Sequence, residues 1–463
     1  MPEAAIQEPK AAIRKRDLPP GPRGYPIIGV MPEIRRDWLG FLEQCARDYG
    51  DIVYFRFFNI PICYVNHPGA IESVLITDYA NFIKSKDYQS LRGVLGNGLL
   101  TSEGEFWRRQ RRLAQPGFHR DRIAGYASTM VAAAERMLGS WQDGETRDVH
   151  QEMMKVTLEI AARTLFHAEV AGSARDVGEA LEVVMDQYLA RVDLAFLIPE
   201  SWPTPGNLRF RKAVERLDRI IYGIIRERRA AADAGDDLLA MLLAARDDDG
   251  QGMTDRQLRD EVMTLLLAGH ETTANNLSWT WYLLAQYPDV EARLLAELDA
   301  VLGGRHPLVG DLRRLVYTNK VIQESLRLYP PAWGIGREAL HDFELGGYRL
   351  PAGTNVFMSQ WLMHHDARYY DEPQRFRPER WTEEFENRLP RFAYFPFGGG
   401  PRVCVGAAFA KMEAVLLLAT IAPRFHLSLM SDRPPPLLPS ITLRPKEGIK
   451  VVLHRRRSPS DPN

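Results

Sequence analysis

The chain has 463 residues, of which 45% are hydrophobic, and its 59 Lys+Arg against 60 Asp+Glu leave a net charge of −1. This near-neutral balance excludes a general electrostatic attraction to nucleic acid, and the hydrophobic content is that of a protein with a large core. The three cysteines, Cys45, Cys63 and Cys404, lie too far apart for a disulfide framework or a zinc site with closely spaced ligands. We therefore expect a reducing compartment and no nucleic-acid partner.

The chain begins with a polar tail, residues 1–18, which lacks the apolar run of a signal peptide. Elsewhere no stretch approaches the roughly 20 apolar residues that a membrane span needs. The sequence thus predicts a cytoplasmic protein without a membrane span. A stretch rich in proline and glycine, "PPGPRGYPIIG" from Pro19, indicates an extended strap. No Pro/Gly/Ser-rich linker follows in the middle of the chain, so we expect residues 19–463 to form a single domain.

The predicted elements are mostly helical. Two short runs rich in β-branched and aromatic residues, "DIVYFRFF" and "PICYVN", predict a hairpin, and helical patterning then dominates to about Tyr329. One helical pattern persists from Asp255 to Gln286, and at ~1.5 Å per residue it would cross the whole molecule. After Pro330, short apolar runs with Pro and Gly predict small hairpins and irregular coil. The fold class is therefore mainly α with a minor β part.

Within the long helix, the segment "LLLAGHETTANN" places Ala268, Gly269 and Thr272 on one face. A glycine in a helix costs about 1 kcal/mol relative to alanine, and here it would let a bulky planar group approach the backbone or open a carbonyl to water. A zinc-protease site is excluded because Ala274 stands where a second histidine is required. Taken alone, Glu271 and Thr272 are more typical of surface or capping groups.

The next motif is "VIQESLRLYPP", in which Glu324 and Arg327 are three residues apart and share a helix face. An isolated pair of this kind is usually a surface ion pair that contributes less than about 1 kcal/mol. The later segment "FRPERW" offers Arg380 as a third member of a buried charge network that would hold the cysteine loop.

The cysteine loop itself is "FPFGGGPRVCVGAAFAKMEA", with three glycines, a proline and Arg402 just before Cys404. It contains no phosphate-binding motif of the GxGxxG or GK[ST] type, so the pattern does not indicate a nucleotide-binding site. A lone buried cysteine is normally a small hydrophobic residue. A cysteine in a glycine-rich loop at a helix N-terminus, with donors and a cation nearby, would instead be stabilised as the thiolate.

Together these segments resemble the cytochrome P450 family, the haem-thiolate monooxygenases, from Pro19 onward. The loop fits the pattern FxxGxRxCxG, "AGHETT" fits the oxygen-activation helix, "ESLR" fits ExxR, and "WRRQR" fits WxxxR at Trp107 and Arg111. "PERW" is similar to the family's PERF motif with Trp381 in place of Phe, a change expected to affect packing rather than chemistry. The resemblance implies a triangular prism with a long central helix over the haem and the cysteine-ligand loop beneath it.

The resemblance also implies roles for individual residues. Cys404 would be the axial ligand of a haem b iron, and O2 would be the co-substrate. Glu271 and Thr272 would deliver protons. Ala268 stands where the alkyl ω-hydroxylase branch has the glutamate that attaches haem, so the haem should be bound non-covalently. The other residues implied to contact haem are Gly269, Phe397, Gly398 and Gly406, with Trp107, Arg111, Arg337 and Arg402 at its propionates.

The implied activity is the insertion of one oxygen atom of O2 into a C–H bond of an apolar substrate, a fatty acid or another long-chain compound. The alternatives are a terpenoid, a steroid or a polyketide, and a more distant one is a non-catalytic haem sensor, which the Glu271–Thr272 pair disfavours. Substrate-pocket candidates are apolar and comprise Val94, Leu95, Leu265, Ala332, Trp333 and Ile335.

The resemblance further implies a monomer that receives electrons from a separate ferredoxin or flavodoxin with an NAD(P)H-dependent reductase. Arg108, Arg109 and Arg112 surround Arg111 on the same predicted helix and offer a basic patch for an acidic redox protein. The alternative interpretation is an ordinary solvated helix face.

Overall fold

The computed structural model describes residues 17–166, 177–181, 183–184, 201–230 and 237–456. In these ranges the longer helices are α1 (Met31–Arg36), α2 (Trp38–Tyr49), α3 (Pro68–Glu72), α4 (Lys86–Ser90), α5 (Arg92–Leu95), α6 (Gly104–Ala114), α7 (Arg120–Gly125), α8 (Ala127–Leu138), α9 (Val149–Phe166), α10 (Pro205–Ala230), α11 (Leu238–Ala244), α12 (Asp255–Gln286), α13 (Pro288–Leu302), α14 (Val316–Leu328), α15 (Gln360–His364), α16 (Glu383–Arg388) and α17 (Ala407–Ile421).

The strands are shorter than most of the helices and contain fewer residues in total. They are β1 (Ile52–Phe57), β2 (Ile60–Val65), β3 (Phe82–Lys84), β4 (Thr146–Asp148), β5 (Ile335–Ala339), β6 (Phe343–Leu345), β7 (Tyr348–Leu350), β8 (Asn355–Met358), β9 (Phe425–Leu429), β10 (Leu437–Pro439), β11 (Leu443–Pro445) and β12 (Lys450–Arg455). Single turns of tighter or wider helix lie at Ser73–Thr77, Tyr79–Asn81, Gln115–Phe118, Val309–Arg313, Pro378–Arg380 and Gly400–Arg402. The described residues are thus mainly α with a minor β part, as predicted.

The central helix α12 has the bounds that its sequence pattern predicted. It begins at a capping box, in which the Thr254 hydroxyl accepts from the Gln257 N–H and the Gln257 side chain accepts from the Thr254 N–H. This reciprocal pair satisfies two of the backbone donors that a helix start leaves open. Most residues of α12 are buried, because the helix packs against α9, α10, α14 and α17.

The main sheet has the strand order β1-β2-β8-β5-β3. The predicted hairpin is confirmed, since β1 and β2 pair antiparallel across a short turn. The prediction of small hairpins and coil after Pro330 is only partly right. Strands β7 and β8 follow each other in sequence but join different sheets, and β11 and β12 do the same. Strands β7 and β11 form the predicted small hairpins with their neighbours β6 and β10, whereas β8 and β12 also pair with the distant strands β2 and β4. Three further helices, α15 to α17, lie in this part.

The largest hydrophobic cluster of the described residues extends in sequence from Leu91 to Leu453, with α12 running through it. Two smaller clusters cover the faces of the main sheet. A core that joins such distant parts of the chain supports our proposal that residues 19–463 form one domain. None of the helices in the described ranges is both long and apolar enough to cross a membrane.

A buried charge network links α14 to the chain that precedes the cysteine loop. Arg327 donates to both oxygens of Glu324 at 2.9 and 2.8 Å, and Arg380 donates to the same carboxylate at 2.8 Å. All three residues are almost fully buried. Trp381 adds a fourth bond, from its indole N–H to Glu324 at 2.9 Å. The effect of tryptophan at this position on structure rather than chemistry thus includes a hydrogen bond that phenylalanine could not donate.

The same network reaches the cysteine loop through His364. Arg327 donates to the His364 carbonyl oxygen at 2.8 Å, and the His364 imidazole accepts from the Phe395 N–H at 3.0 Å. Burial lowers the pKa of His364 well below its usual value, so the ring stays neutral and Nε2 remains an acceptor. The network thus fixes the start of the segment that carries Cys404.

Candidate functional site

A cavity lies between α12 and the loop formed by residues 396–406. The loop contributes the Cys404 thiol, α12 contributes Ala268, Gly269, Glu271 and Thr272, and apolar side chains close much of the remaining wall. Five of the six predicted pocket residues line this cavity, namely Val94, Leu95, Leu265, Ala332 and Ile335. The structure also places Leu91, Leu99, Leu100 and Ile441 there, which the sequence analysis did not name.

The sixth predicted pocket residue, Trp333, does not line the cavity, so that prediction was wrong. Its ring packs edge-on against Trp38, with ring centroids 4.9 Å apart, and its indole N–H donates to the Ser440 carbonyl oxygen at 2.8 Å. The side chain therefore points from the segment 331–335 into the core beneath the main sheet. A large indole gains more from this burial and hydrogen bond than from the cavity wall.

The loop that carries Cys404 depends on glycine. Gly400 has φ +66°, and a Cβ at this position would lie 1.9 Å from the carbonyl oxygen of Leu75. No other residue type fits this backbone without displacement. The loop is closed by the Cys404 N–H, which donates to the Phe397 carbonyl oxygen at 3.0 Å. Helix α17 begins three residues after Cys404. The sulfur is thus held by backbone at a fixed position facing the cavity.

The protonation of Cys404 differs from the sequence-based expectation. Burial raises the pKa of the thiol, while a hydrogen bond from the Gly406 N–H and the charge of Arg111 lower it, and the net direction is upward. The donors and the cation are present as expected, but alone they do not favour the thiolate. A metal ion bound to the sulfur reverses this balance, because a coordinating thiol is deprotonated.

No group of three or more His, Cys, Asp or Glu side chains within the described ranges is arranged to hold a metal ion. A metal bound to Cys404 would therefore not find three such ligands in the described ranges. A cofactor can supply the other ligands, as a macrocycle supplies them to iron.

Four of the basic side chains that line the cavity are Lys84, Arg111, Arg337 and Arg402. All four predicted propionate partners already have protein contacts. Arg111 donates to the Val403 carbonyl oxygen at 2.9 Å. Arg402 pairs with Glu103, donates to the Ser102 carbonyl oxygen at 2.9 Å, and stacks over the Trp107 ring at 3.8 Å. Trp107 and Arg402 are therefore held together, with Glu103 taking part of the Arg402 charge.

Lys84 is the fourth of these cations, and the sequence analysis missed it. Lys84 on β3 is the cross-strand partner of Arg337 on β5, and both side chains line the cavity. Burial lowers the pKa of both side chains, and the charges of Arg337 and Arg402 lower that of Lys84 further. Lys84 Nζ lies 4.4 Å from the centre of the Tyr88 ring, and the Arg337 guanidinium donates to the Gly336 carbonyl oxygen at 2.8 Å.

Like charges placed directly opposite each other destabilise a strand pair. In the described part of the chain no carboxylate forms an ion pair with Lys84 or Arg337, although Glu103 and Asp87 lie close enough to influence their pKa values. A half-buried lysine and a buried arginine side by side at a cavity edge indicate that a ligand with anionic groups belongs there. The signal in the sequence was weak, because β3 has only three residues.

The face of α12 at Gly269 leaves room for a flat group. A Cβ at Gly269 would meet only the Leu165 side chain, at 4.0 Å, so the glycine faces open space. The helix continues through this point without a break. The Thr272 hydroxyl donates to the Ala268 carbonyl oxygen at 2.6 Å, so that acceptor is occupied by a side chain in the same helix. The expected gap next to the helix is present, while an interruption of the helix is not.

Glu271 lies beside this face and is 4% exposed. Burial raises its pKa, and the Thr442 hydroxyl, the Arg444 charge and the Asn275 side chain partly offset that effect. Thr442 donates to Glu271 Oε1 at 2.5 Å. The sequence analysis did not name Thr442, because 171 residues separate it from Glu271. The cavity thus has a buried acid and a hydroxyl on one wall.

The predicted basic patch is corrected by the structure. Arg109 Nε lies 2.6 Å from Asp247, Arg112 pairs with Asp248, and Arg108 pairs with Glu105. The acidic loop after α11 thus pairs with two of the three arginines offered as a docking patch, and Glu105 of α6 pairs with the third, although the side chains of Arg108 and Arg112 stay more than half exposed. Their charges are neutralised by carboxylates of the same chain, which weakens the case for these residues as a site for an acidic partner.

The arrangement has four parts around one cavity: a thiol below, an apolar wall above, basic side chains at one edge, and an acid with a hydroxyl on α12. Such a site holds a flat anionic cofactor on one sulfur, places an apolar molecule against the cofactor, and supplies protons from one side.

Comparisons with known proteins agree with this geometry. The sequence profile of the cytochrome P450 family matches residues 19–453. Cyclooctat-9-en-7-ol 5-monooxygenase of Streptomyces melanosporofaciens is 38% identical over 408 residues, which is 88% of this chain and 88% of that protein. Pentalenene oxygenase of Streptomyces avermitilis is 34% identical over 414 residues, 89% of this chain and 91% of that protein.

A solved structure is similar over nearly the whole chain. The cyanobacterial CYP120A1 with retinoic acid bound superposes with a TM-score of 0.86 at 28% sequence identity, covering 95% of this chain and 99% of that one.

Proposed function

Because the chain belongs to the cytochrome P450 family of haem-thiolate monooxygenases, we propose that it inserts one oxygen atom of O2 into a C–H bond of a cyclic terpenoid. The family uses haem b, and bound haem supplies the activation of O2 and the attack on the C–H bond. The observation that carries the proposal is the apolar cavity enclosed between the Cys404 thiol and the Glu271–Thr272 pair on α12.

The residues of the cavity fit haem. Cys404 would donate its sulfur to the iron, with the Gly406 N–H reducing the charge on that sulfur. Gly269 gives the flat ring room beside α12, and Ala268 offers no carboxylate for a covalent link. Phe397 and Gly398 belong to the loop wall on the sulfur side.

The basic edge of the cavity suits the two propionate groups of haem. Arg111, Arg337 and Lys84 would bind these carboxylates by charge-assisted hydrogen bonds, together with the indole N–H of Trp107. Arg402 would share its charge between a propionate and Glu103. Pairing with propionates would relieve the repulsion between Lys84 and Arg337 on neighbouring strands.

Glu271 and Thr272 would move protons to the oxygen side of the cavity. Burial raises the pKa of Glu271, which keeps a larger share of the carboxyl protonated and ready to donate. The Thr272 hydroxyl lies on the next position of α12, and its bond to the Ala268 carbonyl oxygen fixes its direction. This acid and alcohol favour a monooxygenase over a non-catalytic haem sensor, which has no use for proton delivery.

The substrate class is argued from the cavity wall and from the relatives. The wall segments 91–100, 331–335 and 264–268 contribute aliphatic side chains and no cation to the cavity, so they offer no anchor for a fatty-acid carboxylate. Two relatives are named for cyclooctat-9-en-7-ol and for pentalenene, which are terpenoids. Both points favour the terpenoid over the long-chain alternative that the sequence analysis placed first. Electrons would come from a separate ferredoxin or flavodoxin with its reductase.

The proposal is tested by titrating the purified haem protein with cyclic sesquiterpenes, cyclic diterpenes, their monoalcohols and saturated fatty acids. We expect a saturable change of the Soret band with members of the terpenoid set only. Leu265→Trp should abolish that change because it fills the cavity, whereas Leu308→Trp, at a position that is 62% exposed, should not.

Product analysis completes the test. With a surrogate ferredoxin and reductase, the ligand that shifts the Soret band should gain one oxygen atom from labelled O2. A saturable response to fatty acids with none to any terpenoid would overturn the proposed substrate class. Turnover without label in the product would overturn the monooxygenase reaction.

A further inference from the structure

The hairpin formed by β10 and β11 reaches the cavity with its tip. Ile441 and Thr442 lie between these strands, and both line the cavity. Thr442 is only 5% exposed, which is unusual for a residue beside a hairpin turn. The tip therefore belongs to the wall of the site, next to the acid on α12.

Thr442 is the middle member of a chain of hydrogen bonds. Its hydroxyl donates to Glu271 Oε1 at 2.5 Å, and the Asn275 side-chain amide donates to the Thr442 hydroxyl oxygen at 3.1 Å. Glu271 and Asn275 are four residues apart on α12 and share a face. All three side chains are buried, so water does not compete for these bonds.

The donor and acceptor roles in these hydrogen bonds determine which oxygen of Glu271 carries the proton. A threonine hydroxyl has one hydrogen to donate, and a side-chain NH2 group is only a donor. In the structure this hydrogen is directed to Glu271 Oε1, while a lone pair of the same hydroxyl oxygen accepts from Asn275. That oxygen is then an acceptor, and the proton of neutral Glu271 is carried by the other oxygen, Oε2.

Three further titratable side chains lie near Glu271, namely Arg444, His150 and His270. Arg444 on β11 lowers the pKa of Glu271, while burial acts in the opposite direction. His150 on α9 is also within reach of Arg444, and burial lowers its pKa to about 4, so it carries no charge at neutral pH. His270, adjacent to Glu271 on α12, likewise has its pKa lowered to about 4 by burial.

We propose that Thr442 is a positioning residue for proton delivery, which holds Glu271 with its acidic proton on Oε2 and makes this orientation depend on the hairpin tip that borders the substrate. The inference rests on the proposed function, since it takes Glu271 as the acid that supplies protons. Because Ile441 lines the cavity next to Thr442, a bound substrate would press on the same tip that orients the acid.

The first test needs no substrate. In the haem-loaded protein, the carboxyl stretch of Glu271 is identified by infrared spectroscopy as the band that Glu271→Gln removes, and it is then titrated with pH. Thr442→Val removes the hydroxyl but keeps the shape of the side chain, so it should raise the pKa of Glu271. Thr442→Ser retains the hydroxyl and should leave this pKa close to that of the unmodified protein.

The second test measures how the electrons of NAD(P)H are divided between product and hydrogen peroxide. With surrogate redox partners, Thr442→Val should release hydrogen peroxide in place of product, with a roughly fivefold lower product yield per NAD(P)H, the factor that corresponds to one hydrogen bond. Thr442→Ser should restore the yield. The Soret band of the carbon monoxide complex should be the same in all three proteins, since Thr442 is not placed at the haem.

Two results would overturn the inference. One is an unchanged Glu271 pKa in Thr442→Val. The other is equal damage by Thr442→Val and Thr442→Ser, which would mean that the residue has only a packing role. The infrared result remains decisive even if no terpenoid is accepted, so failure of this inference is distinguishable from failure of the proposed substrate class.

Discussion

In our proposal, Glu271 is the residue on which proton supply to the cavity depends. Its carboxyl is removed from solvent, which raises its pKa, and the bonds from Thr442 and Asn275 keep it from moving freely. A buried acid of this kind is costly unless its hydrogen bonds are satisfied. Its presence beside Thr272, in a wall that is otherwise largely apolar, is therefore better explained by chemistry than by stability.

Replacing Glu271 by Gln should reduce the rate of product formation by about 10²- to 10⁴-fold, because positioned proton transfer contributes a factor of this size. The amide keeps the shape of the side chain, so haem content and substrate affinity should change little. Turnover with surrogate redox partners measures the rate. Glu344→Gln, an exposed replacement on β6, serves as the matched control. A Glu271→Gln protein with unreduced turnover would contradict the assigned role.

At the residue scale, the sequence identified the side chains that belong to spaced motifs and missed those brought in by folding. Cys404, Glu271, Thr272 and Arg337 were predicted and all line the cavity. Lys84 reaches it only through its pairing with Arg337, and the wrong prediction for Trp333 arose because its direction depends on packing against Trp38. Spacing along the chain carries neither kind of information.

Among the elements, α12 also holds the segment that closes the cavity. Asp260 Oδ2 accepts from the Asn97 N–H at 2.9 Å, and Glu261 Oε2 accepts from the Leu99 N–H at 3.0 Å. Leu99 and its neighbour Leu100 are part of the cavity wall. Burial, with a smaller contribution from the Asp260 charge, raises the pKa of Glu261 to about 8. The element that carries the proposed proton-delivering acid thus also fixes the wall of the pocket.

Glu261→Gln should change how stability depends on pH. In the folded protein Glu261 keeps its proton up to about pH 8, whereas in the unfolded chain it loses it near 4.5. Between these values the folded state binds more protons, so the stabilising contribution of this group is lost as pH rises, by about 1.4 kcal/mol per pH unit.

The measurement is the free energy of unfolding of both proteins across this window. The difference between the unmodified protein and Glu261→Gln should decrease steadily with pH, because glutamine does not titrate and still offers an acceptor to Leu99. Parallel curves would show that Glu261 has an ordinary pKa and would contradict its burial.

The charge network of α14 makes a second prediction at this scale. Glu324→Gln leaves Arg327 and Arg380 buried with an uncharged partner, and breaking a buried ion pair in this way costs about 3–5 kcal/mol. Because the network reaches Phe395 through His364, the variant should also lose haem more readily.

Unfolding by urea and the haem content after dialysis would measure both effects. Arg108→Ala, which breaks an exposed ion pair with Glu105, should change the free energy of unfolding far less. Equal effects of the two variants would contradict the structural importance assigned to Glu324.

At the scale of elements, the patterns with local causes were predictable. The capped, continuously helical pattern gave the bounds of α12, and the β1–β2 hairpin followed from two runs joined by a short turn. The partners of β8 were not predictable, because it pairs parallel with β2 and antiparallel with β5. Such contacts are selected by the packing of the whole molecule, for which a single sequence has no local signal.

For the whole molecule, the fold places two distant parts of the chain on opposite sides of one cavity. Helix α12 and the loop before α17 are separated by more than a hundred residues, yet Ala268 and Cys404 line the same space. Cys45 and Cys63, in contrast, are buried away from it, and burial raises the pKa of both thiols. The molecule therefore presents the thiol of Cys404, among its three cysteines, to a ligand in this cavity.

The absorption spectrum of the reduced carbon monoxide complex tests this central claim most directly, measured on the purified protein beside Cys404→Ser. The unmodified protein should show the long-wavelength Soret band of a thiolate-bound haem, and Cys404→Ser should lose that band even where haem is retained. A Cys63→Ser control should keep it. A purified protein that binds haem without this band, or a Cys404→Ser variant that keeps it, would contradict the assignment of Cys404 as the ligand.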